Sequence, residues 1–336
     1  MKLKIFDYLW HIPHQFDMMY ALRNDCDFYF SLDIKTQWDV GKRPLPPNLK
    51  FVANYEPGVY DLALFHIDQQ VISPKDRKRT IYNDFNRNVN GIPKIVINHG
   101  SPVLTEWFKN NAYDYDDDQI KEICKKEVKA LIGNSTMVVN SYAAASENEW
   151  GFGYPVVHGM NADDWYDLPK EPRVFTAISP GGFDNYYNRD CLNKVAEILS
   201  LKYGYILNHA RVNIDSGSSP EYYKKYLGSS LIYLDPSFRT PMNRARTEAF
   251  LSGCCVIQVE GAHDIERWGI NGENIVLVPN DPARISATIV DFIENKYQQA
   301  IEIGKQGKEM AKLEFNPGRY RRDWLNIFDR VMNLTL

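Results

Sequence analysis

Three polar side chains precede an apolar run at regular spacing in the second half of the chain. In the stretch TPMNRARTEAFLSGCCVIQV they are Thr240, Arg244 and Glu248, each four residues from the next. Side chains four residues apart lie on one stripe of a helix. We expect Thr240 to cap that helix, Pro241 to occupy its first position and Gly253 to end it. A hydroxyl, a guanidinium and a carboxylate would then share one face.

The chemistry open to this face is recognition of a nucleoside diphosphate. The N-terminus of a helix carries a partial charge of about +0.5, and Arg239 and Arg244 flank it, which suits a diphosphate. The Glu248 carboxylate could accept two hydrogen bonds from a ribose 2′,3′-diol. The alternative is a solvated Arg244–Glu248 pair worth about 0.3 kcal/mol, in the less favoured order of charges. Local reasoning leaves both interpretations open.

A second candidate phosphate-binding feature is a pair of glycines. Gly181 and Gly182 follow an apolar run in AISPGGFDN and precede a helical pattern. A glycine turn after a strand lets backbone N–H groups approach a phosphate or a sugar, although an ordinary tight turn explains the same residues. The sequence contains neither a GxGxxG dinucleotide fingerprint nor a GxxxxGKS or GxxxxGKT phosphate loop.

Histidines and one aspartate follow predicted strands in the first half. His99 ends PKIVINHG, His66 and Asp68 end LALFHIDQQ, and His11 and His14 lie in LWHIPHQ, the first strand–helix loop. Ligands of parallel sheets bind outside the carboxyl ends of the strands. These five residues are therefore candidate binding residues, and each could instead be an ordinary structural side chain.

The elements that must position these residues alternate along the chain. Short apolar runs such as YDLALFHI, PKIVINHG and CCVIQV are separated by helical patterns in both halves, which predicts parallel sheets covered by helices on both faces. Two such halves predict two doubly wound domains. Prolines and mixed charges interrupt the pattern at Tyr166–Arg173, so we expect a first domain at 1–168 with 318–336 and a second at 169–317.

The last predicted helix has an apolar stripe and should dock on one of these domains. The stripe consists of Tyr320, Trp324, Ile327, Phe328 and Val331.

Composition limits the possible functions. The chain has 336 residues and a net charge of −4, which gives no strong attraction to nucleic acid or anionic membranes. No apolar run reaches the ~18 residues of a membrane helix. The five cysteines show no metal-type spacing, and Cys254 and Cys255 are predicted to be buried free thiols. A cytoplasmic protein is therefore expected, with peripheral membrane association left open.

One long segment resembles a known family. Residues 236–282, PSFRTPMNRARTEAFLSGCCVIQVEGAHDIERWGINGENIVLVPNDP, resemble the donor-binding segment of group 1 glycosyltransferases, which have the GT-B fold. PKIVINHGSP resembles the family's strand that ends in His-Gly. STMVVNSYAAASENEWGFGYPVVHGMNADDW resembles its following helix, strand and turn, and RYRRDWLNIFDRVM resembles its crossover helix.

The resemblance implies a fold, an activity and a set of site residues. The fold would be GT-B, with two Rossmann-like domains facing across a cleft and a C-terminal crossover helix. The activity would be sugar transfer from a nucleotide-diphosphate sugar, UDP-sugar favoured, with retention of configuration and without a metal or other cofactor. The implied catalytic residues are His99 and Arg244. The implied donor-binding residues are Glu248, Arg239, Thr240, Met242, Asn243, Gly181 and Gly182. The implied acceptor-side residues are His11, His14, His66 and Asp68.

The sequence also departs from the family pattern. Thr240 stands where the family has the first of two glutamates, and SPGGFDNYYN lacks the family's Arg and Lys. The segment MNRARTEAFLSG is closer to a divergent branch with a single glutamate, in which Arg244 and Arg239 would supply the missing positive charge. The acceptor could be a glycan, a lipid or DNA, the last as in phage-type DNA base glycosyltransferases. A nucleotide-sugar epimerase and a nucleotide-sugar-binding protein without turnover also remain open.

Overall fold

The chain divides into two compact units. The computed structural model describes residues 2–32, 38–103, 115–178, 187–209, 220–238 and 243–333. The first unit comprises Met1–Gly159 and Pro317–Leu336, and the second comprises Met160–Asn316. The chain thus changes unit after 159 and after 316, compared with 168 and 317 in the division drawn from the sequence.

The first unit contains a parallel sheet of seven strands in the order β3-β2-β1-β4-β5-β6-β7. The strands are β1 Leu3–Asp7, β2 Cys26–Ser31, β3 Leu49–Val52, β4 Leu62–Ile67, β5 Lys94–Asn98, β6 Thr136–Val139 and β7 Tyr154–Pro155. Ile5 and Phe6 point to opposite faces and belong to two different core clusters, so both faces are covered. The strand order reverses between β1 and β4, and ligands of such sheets bind outside the carboxyl ends at this point.

Among the described residues, five helices complete the first unit. They are α1 Ile12–Ala21, α2 Arg77–Asn88, α3 Asp117–Ile132, α4 Tyr142–Ala145 and α11 Pro317–Asn333. The predicted apolar stripe of α11 is confirmed, because Trp324, Phe328 and the other three stripe residues are buried in a core cluster of this unit. Arg321 also donates from Nε and Nη2 to the two carboxylate oxygens of Asp25, at 2.7 and 2.5 Å. The helix therefore belongs to the first unit although it follows the second along the chain.

The second unit contains a parallel sheet of five strands in the order β12-β11-β10-β8-β9. The strands are β8 Glu171–Thr176, β9 Leu207–His209, β10 Ser230–Asp235, β11 Cys255–Val259 and β12 Val276–Val278. The helices in its described part are α5 Arg189–Ile198, α6 Pro220–Ser229, α7 Arg244–Leu251, α8 Ile265–Trp268, α9 Pro282–Glu294 and α10 Tyr297–Glu314. The strand order reverses between β8 and β10, which places the expected ligand edge at the carboxyl end of β10.

Helix α7 begins later than the sequence predicted. Its N-cap is Asn243, whose side-chain oxygen accepts a backbone N–H at 3.0 Å. The predictions that Thr240 caps the helix and that Pro241 opens it are therefore wrong, because an asparagine closer to the apolar run is at least as good a cap as threonine. Arg244 and Glu248 remain on one stripe. The predicted end is confirmed, since Gly253, with a φ of 69°, turns the chain toward β11.

The cysteines have the predicted state. All five are free and buried. Burial raises the pKa of the Cys254 thiol to about 11, so this thiol stays protonated at neutral pH. Within the described part of the chain, no helix combines the length and the apolar character needed to cross a membrane.

Candidate functional site

The second unit holds a buried ion pair on α7. Arg244 opens the helix and Glu248 lies one turn later, with Arg244 Nε 3.1 Å from Glu248 Oε1. The two side chains are only 9% and 8% exposed. Tyr223 on α6 donates its hydroxyl to the other carboxylate oxygen, Oε2, at 2.8 Å. The carboxylate of Glu248 is therefore held from two helices.

Burial changes the energy of this pair. Removing a carboxylate or a guanidinium from water costs several kcal/mol per ion, and mutual attraction offsets that cost only when the geometry is good. The solvated alternative, worth about 0.3 kcal/mol, does not describe a pair in which both Arg244 and Glu248 are more than nine-tenths buried. A buried ion pair on the helix that follows β10 is therefore a candidate functional feature, since ligands of parallel sheets bind outside the carboxyl ends of the strands.

A buried polar network lies next to this pair, at the carboxyl end of β10. Asp235 accepts hydrogen bonds from the Ser237 backbone N–H at 3.1 Å, from the Ser237 hydroxyl, and from Asn243 Nδ2 at 3.0 Å. Gln258 on β11 donates to the Ser237 carbonyl at 2.7 Å and accepts from Arg246 Nη1 at 2.8 Å. The chain on both sides of residues 239–242 is thus fixed by buried side chains.

Asp235 and Arg246 carry opposite charges, and each reduces the effect of burial on the pKa of the other. Burial raises the pKa of Asp235, and the nearby positive charge of Arg246 is the main influence that lowers it. Burial likewise lowers the pKa of Arg246, and the carboxylate of Asp235 opposes that effect. The guanidinium of Arg246 also lies 5.3 Å from the ring centroid of Trp268, a cation–π distance.

Only some predicted residues of the second unit can be located. Glu248, Arg244 and Asn243 lie together at the start of α7, and the amide of Asn243 is engaged at both ends by the helix cap and by Asp235. The remaining predicted donor-binding residues lie outside the described residues; they are Arg239, Thr240, Met242, Gly181 and Gly182. The sequence reasoning missed Tyr223, whose contact with Glu248 is made between two helices and leaves no local pattern.

The first unit brings polar side chains together at its expected ligand edge. Asp7 ends β1, His66 lies near the end of β4, His99 follows β5 and Asn140 follows β6. Asp7 Oδ1 lies 2.9 Å from His66 Nε2, and His66 Nδ1 lies 3.0 Å from His99 Nε2. His99 Nδ1 lies 3.4 Å from Asn140 Nδ2. We call this series the strand-end chain.

Further contacts fix the buried end of the strand-end chain. Gln15 Nε2 donates to Asp7 Oδ2 at 3.2 Å and to the Tyr8 carbonyl at 2.8 Å. The Tyr8 backbone N–H donates to Asp7 Oδ1 at 2.6 Å. The Tyr8 hydroxyl donates to the His66 carbonyl at 2.8 Å and accepts the His66 N–H at 2.9 Å. Asp7 and His66 are therefore rigidly oriented.

Aromatic rings surround the outer end of the strand-end chain. The indole of Trp10 is nearly parallel to His66 and to His99, at centroid distances of 6.1 and 6.3 Å. His14 lies 5.4 Å from His99 and 4.7 Å from His11. The structure thus gathers four of the predicted acceptor-side or catalytic residues in one place.

Asp68 has a different environment from these histidines. Its carboxylate caps the 3₁₀ turn Gln69–Ile72 by accepting the Gln70 N–H at 2.9 Å, and it forms an ion pair with Lys78. The cap and the ion pair give the carboxylate of Asp68 a structural role.

The electrostatics of the strand-end chain favour a neutral His99. Burial lowers the pKa of His99 well below its usual value, and the positive charges that His66, His11 and Lys78 can carry lower it further. Burial raises the pKa of Asp7, while His66 and its hydrogen bonds lower it. Among the described residues, no group of three or more His, Cys, Asp or Glu side chains is arranged to hold a metal ion.

Comparison with known proteins identifies solved structures with a similar fold. No protein-family model matches the sequence, and neither does any curated protein. Similar solved structures include sucrose-phosphate synthase from Thermosynechococcus elongatus, at 13% identity and a TM-score of 0.65, over 99% of this chain and 100% of that one. HepE from Anabaena, crystallised with UDP and glucose, has 13% identity and a TM-score of 0.65, over 98% and 100% of the two chains.

A third similar structure is a glycosyltransferase from Rickettsia africae. It has 11% identity and a TM-score of 0.60, over 98% of this chain and 99% of that one. At such identities the likeness shows the fold alone. Together with the two parallel sheets, it confirms the predicted α/β fold class, GT-B.

Proposed function

We propose that this protein transfers a sugar from a nucleotide-diphosphate sugar, with UDP-sugar favoured, to an acceptor. The observation that carries the proposal is the buried Arg244–Glu248 pair with its Tyr223 partner, just beyond the carboxyl end of β10. The position of the pair favours a ligand site, because ligands of parallel sheets bind outside the carboxyl ends of the strands. The GT-B fold supports a nucleotide sugar, since HepE has also been crystallised with UDP-glucose.

Glu248 is proposed to bind the ribose of the nucleotide. An ionised carboxylate only accepts hydrogen bonds and offers about four lone pairs on two oxygens. Arg244 approaches one oxygen and Tyr223 the other, so both oxygens are oriented before a 2′,3′-diol binds. Because both protein contacts orient the carboxylate beforehand, little conformational entropy is lost when the nucleotide binds.

Arg244 is proposed to stabilise the leaving diphosphate. A guanidinium binds phosphate oxygens with two parallel N–H donors, and the N-terminus of α7 adds positive potential beside it. These charges act where negative charge develops during departure of the nucleoside diphosphate. We therefore propose transfer without a metal ion, and with the retention of configuration that the resemblance of residues 236–282 implies.

His99 is proposed to contact a sugar hydroxyl in the first unit. Its imidazole is neutral at physiological pH, because its pKa is lowered, so it can accept a hydrogen bond. His11, His14 and His66 surround it and are proposed to lie on the acceptor side. Asp68 is left out of this proposal, since its carboxylate is engaged as a cap and an ion pair.

The experiment that tests the function is nucleotide binding followed by substitution of Glu248. Isothermal titration calorimetry with UDP, GDP and UDP-glucose should identify one uridine or guanosine ligand. Glu248→Gln should then weaken binding of that nucleotide by about 10- to 150-fold, since a hydrogen bond to a charged group is worth roughly 1.5–3 kcal/mol. The matched control is Glu197→Gln, an exposed residue on α5 of the same unit, which should leave affinity unchanged.

Two results would contradict the proposal. One is a folded Glu248→Gln variant that binds the nucleotide as tightly as the natural protein. The other is the absence of binding by all three ligands. If binding is found, the anomeric configuration of the product, read by NMR, decides between retention and inversion. Turnover of the nucleotide sugar to a second nucleotide sugar without an acceptor would identify an epimerase.

A further inference from the structure

The strand-end chain has a defined direction of hydrogen bonding. Each imidazole is contacted at both nitrogens, His66 by Asp7 and His99, and His99 by His66 and Asn140. A neutral imidazole has one donor nitrogen and one acceptor nitrogen. The position of the proton on one ring therefore determines its position on the next.

The direction follows from the buried end. The ionised carboxylate of Asp7 only accepts hydrogen bonds, so His66 donates to it from Nε2. In a neutral His66, Nδ1 then carries no proton and accepts from His99 Nε2–H. His99 Nδ1 is consequently the unprotonated nitrogen, and it faces the amide nitrogen of Asn140, a donor. One tautomer of each histidine satisfies the series from Asp7 to Asn140. Gln15 Nε2 also lies 3.2 Å from His66 Nε2, but its two N–H groups are directed at Asp7 Oδ2 and the Tyr8 carbonyl, so this approach is not a hydrogen bond.

The surroundings keep Asp7 in its accepting role. Two N–H groups point at its carboxylate whatever the tautomer of His66, from Tyr8 and Gln15, and His66 Nε2 faces the oxygen that Tyr8 contacts. Gln15 cannot simply reverse its amide, because its oxygen already accepts the backbone N–H groups of Trp10 and His11 at 2.9 and 3.1 Å. Asp7 is fully buried and therefore acts only through its neighbours.

We propose that Asp7 is a positioning residue that, through His66, holds His99 in the Nε2–H tautomer. His99 Nδ1 is then an acceptor, which the Asn140 amide meets only at 3.4 Å and which a sugar hydroxyl takes over from Asn140 when it binds. This inference rests on the proposed sugar transfer. The opposite tautomer would turn Nδ1–H toward the hydroxyl and reverse the hydrogen bond. Selection of the tautomer by a buried carboxylate is an established principle for histidines whose two nitrogens have distinct roles.

The first test reads the tautomer directly. Long-range ¹H–¹⁵N spectra of the full chain labelled at histidine should show His99 as the Nε2–H tautomer in the natural protein. In Asp7→Asn, an amide nitrogen at the Oδ1 position meets both the Tyr8 N–H and His66 Nε2, whereas one at the Oδ2 position meets Gln15 Nε2. In the molecules whose amide nitrogen faces His66 Nε2, it donates to that nitrogen, and His66 and His99 should shift toward the Nδ1–H form. The control is Asp61→Asn, whose carboxylate accepts the Lys4 N–H at 2.7 Å and lies at the opposite end of β4.

A second variant guards against misfolding of Asp7→Asn. Glutamine in His66→Gln can donate to Asp7 and accept from His99, so this variant should retain the Nε2–H tautomer of His99. A natural protein in which His99 is Nδ1–H or doubly protonated at neutral pH overturns the proposal, whatever the variants show.

Calorimetry identifies the hydroxyl and separates this proposal from the proposed function. If Asp7→Asn weakens UDP-glucose by roughly 10- to 100-fold and leaves UDP unchanged, the hydroxyl belongs to the donor sugar. If both affinities are unchanged and transfer still falls, it belongs to the acceptor. Equal weakening of UDP and UDP-glucose overturns the proposal, because Asp7 would then act on the whole structure. Failure of the natural protein to bind UDP, GDP or UDP-glucose counts against the proposed function and leaves the tautomer result standing.

Discussion

Replacing Tyr223 with phenylalanine isolates the hydrogen bond that holds Glu248. The substitution removes one hydroxyl, which donates to Glu248 Oε2 at 2.8 Å. The ring stays, and with it the packing against Trp165 and Phe175, whose ring centroids lie 6.2 and 6.0 Å away. Arg244 remains as a charged partner of Glu248. The carboxylate therefore stays buried with one contact fewer.

The expected cost follows from the type of hydrogen bond. A bond to a charged group contributes about 1.5–3 kcal/mol to stability. Because Tyr223 is only half-buried, screening by solvent reduces this contribution to about 1–2 kcal/mol. For a unit of this size, 1 kcal/mol shifts the melting temperature by roughly 2–4 °C. We expect Tyr223→Phe to lower the melting temperature of the second unit by about 2–8 °C.

The nucleotide should respond less strongly than stability does. Glu248 keeps both acceptor oxygens in Tyr223→Phe, so UDP affinity should fall by less than in Glu248→Gln. The assay is thermal unfolding with and without nucleotide, in the two single variants and the double variant. The control is Tyr222→Phe, the neighbouring residue, which is 47% exposed. Additive effects of Tyr223→Phe and Glu248→Gln on unfolding would refute the reasoning, because residues in direct contact must show a coupling energy.

Two further predictions concern buried charges. The pKa of His99 is lowered in the folded protein, so below pH ~6.5 the unfolded histidine binds a proton that the folded one does not bind. The stability contributed by neutral His99 should therefore be present above pH ~6.5 and be lost as the pH falls below that value. The free energy of unfolding in urea should therefore fall less between pH 7.5 and pH 5.5 in His99→Gln than in the natural protein. The other groups that face the ring are present in both proteins, so the comparison isolates His99; they are His66, His11, His14 and Lys78. Arg246→Met should cost about 3–5 kcal/mol, since Asp235 keeps a buried charge without its cation, and Arg246→Met with Asp235→Asn should recover part of that loss; a single-variant cost below about 1 kcal/mol would contradict the role given to this charge.

The fold could be predicted because its signals are local and repeated. Apolar runs alternate with helical patterns in both halves, and the stripe from Tyr320 to Val331 has helical spacing. The start of α7 was predicted wrongly because three residues upstream of it, Thr240 to Met242, include a good cap and a proline. Asn243 was available as well, and only the course of the chain decides between two acceptable caps.

The candidate site was predictable only in part. His66 and His99 follow strands and could be selected by position, whereas Asp7 reads as the ordinary polar end of KLKIFD. Its role depends on β1 lying beside β4, which brings it to His66 across 59 positions of sequence. Tyr223 and Glu248 are likewise joined across two helices. Contacts of this kind are created by tertiary packing and leave no periodic signal in a single sequence.

The position of α11 has a consequence for synthesis on the ribosome. Trp324 and Phe328 fill a core cluster of the first unit, yet Met160–Asn316 must be translated before they exist. At about 5–20 residues per second, that interval lasts on the order of 10–30 seconds. During it the nascent first unit has an unfilled apolar face around Ile5 and Met18. Chaperone binding should therefore concentrate on this face and end when the last helix emerges.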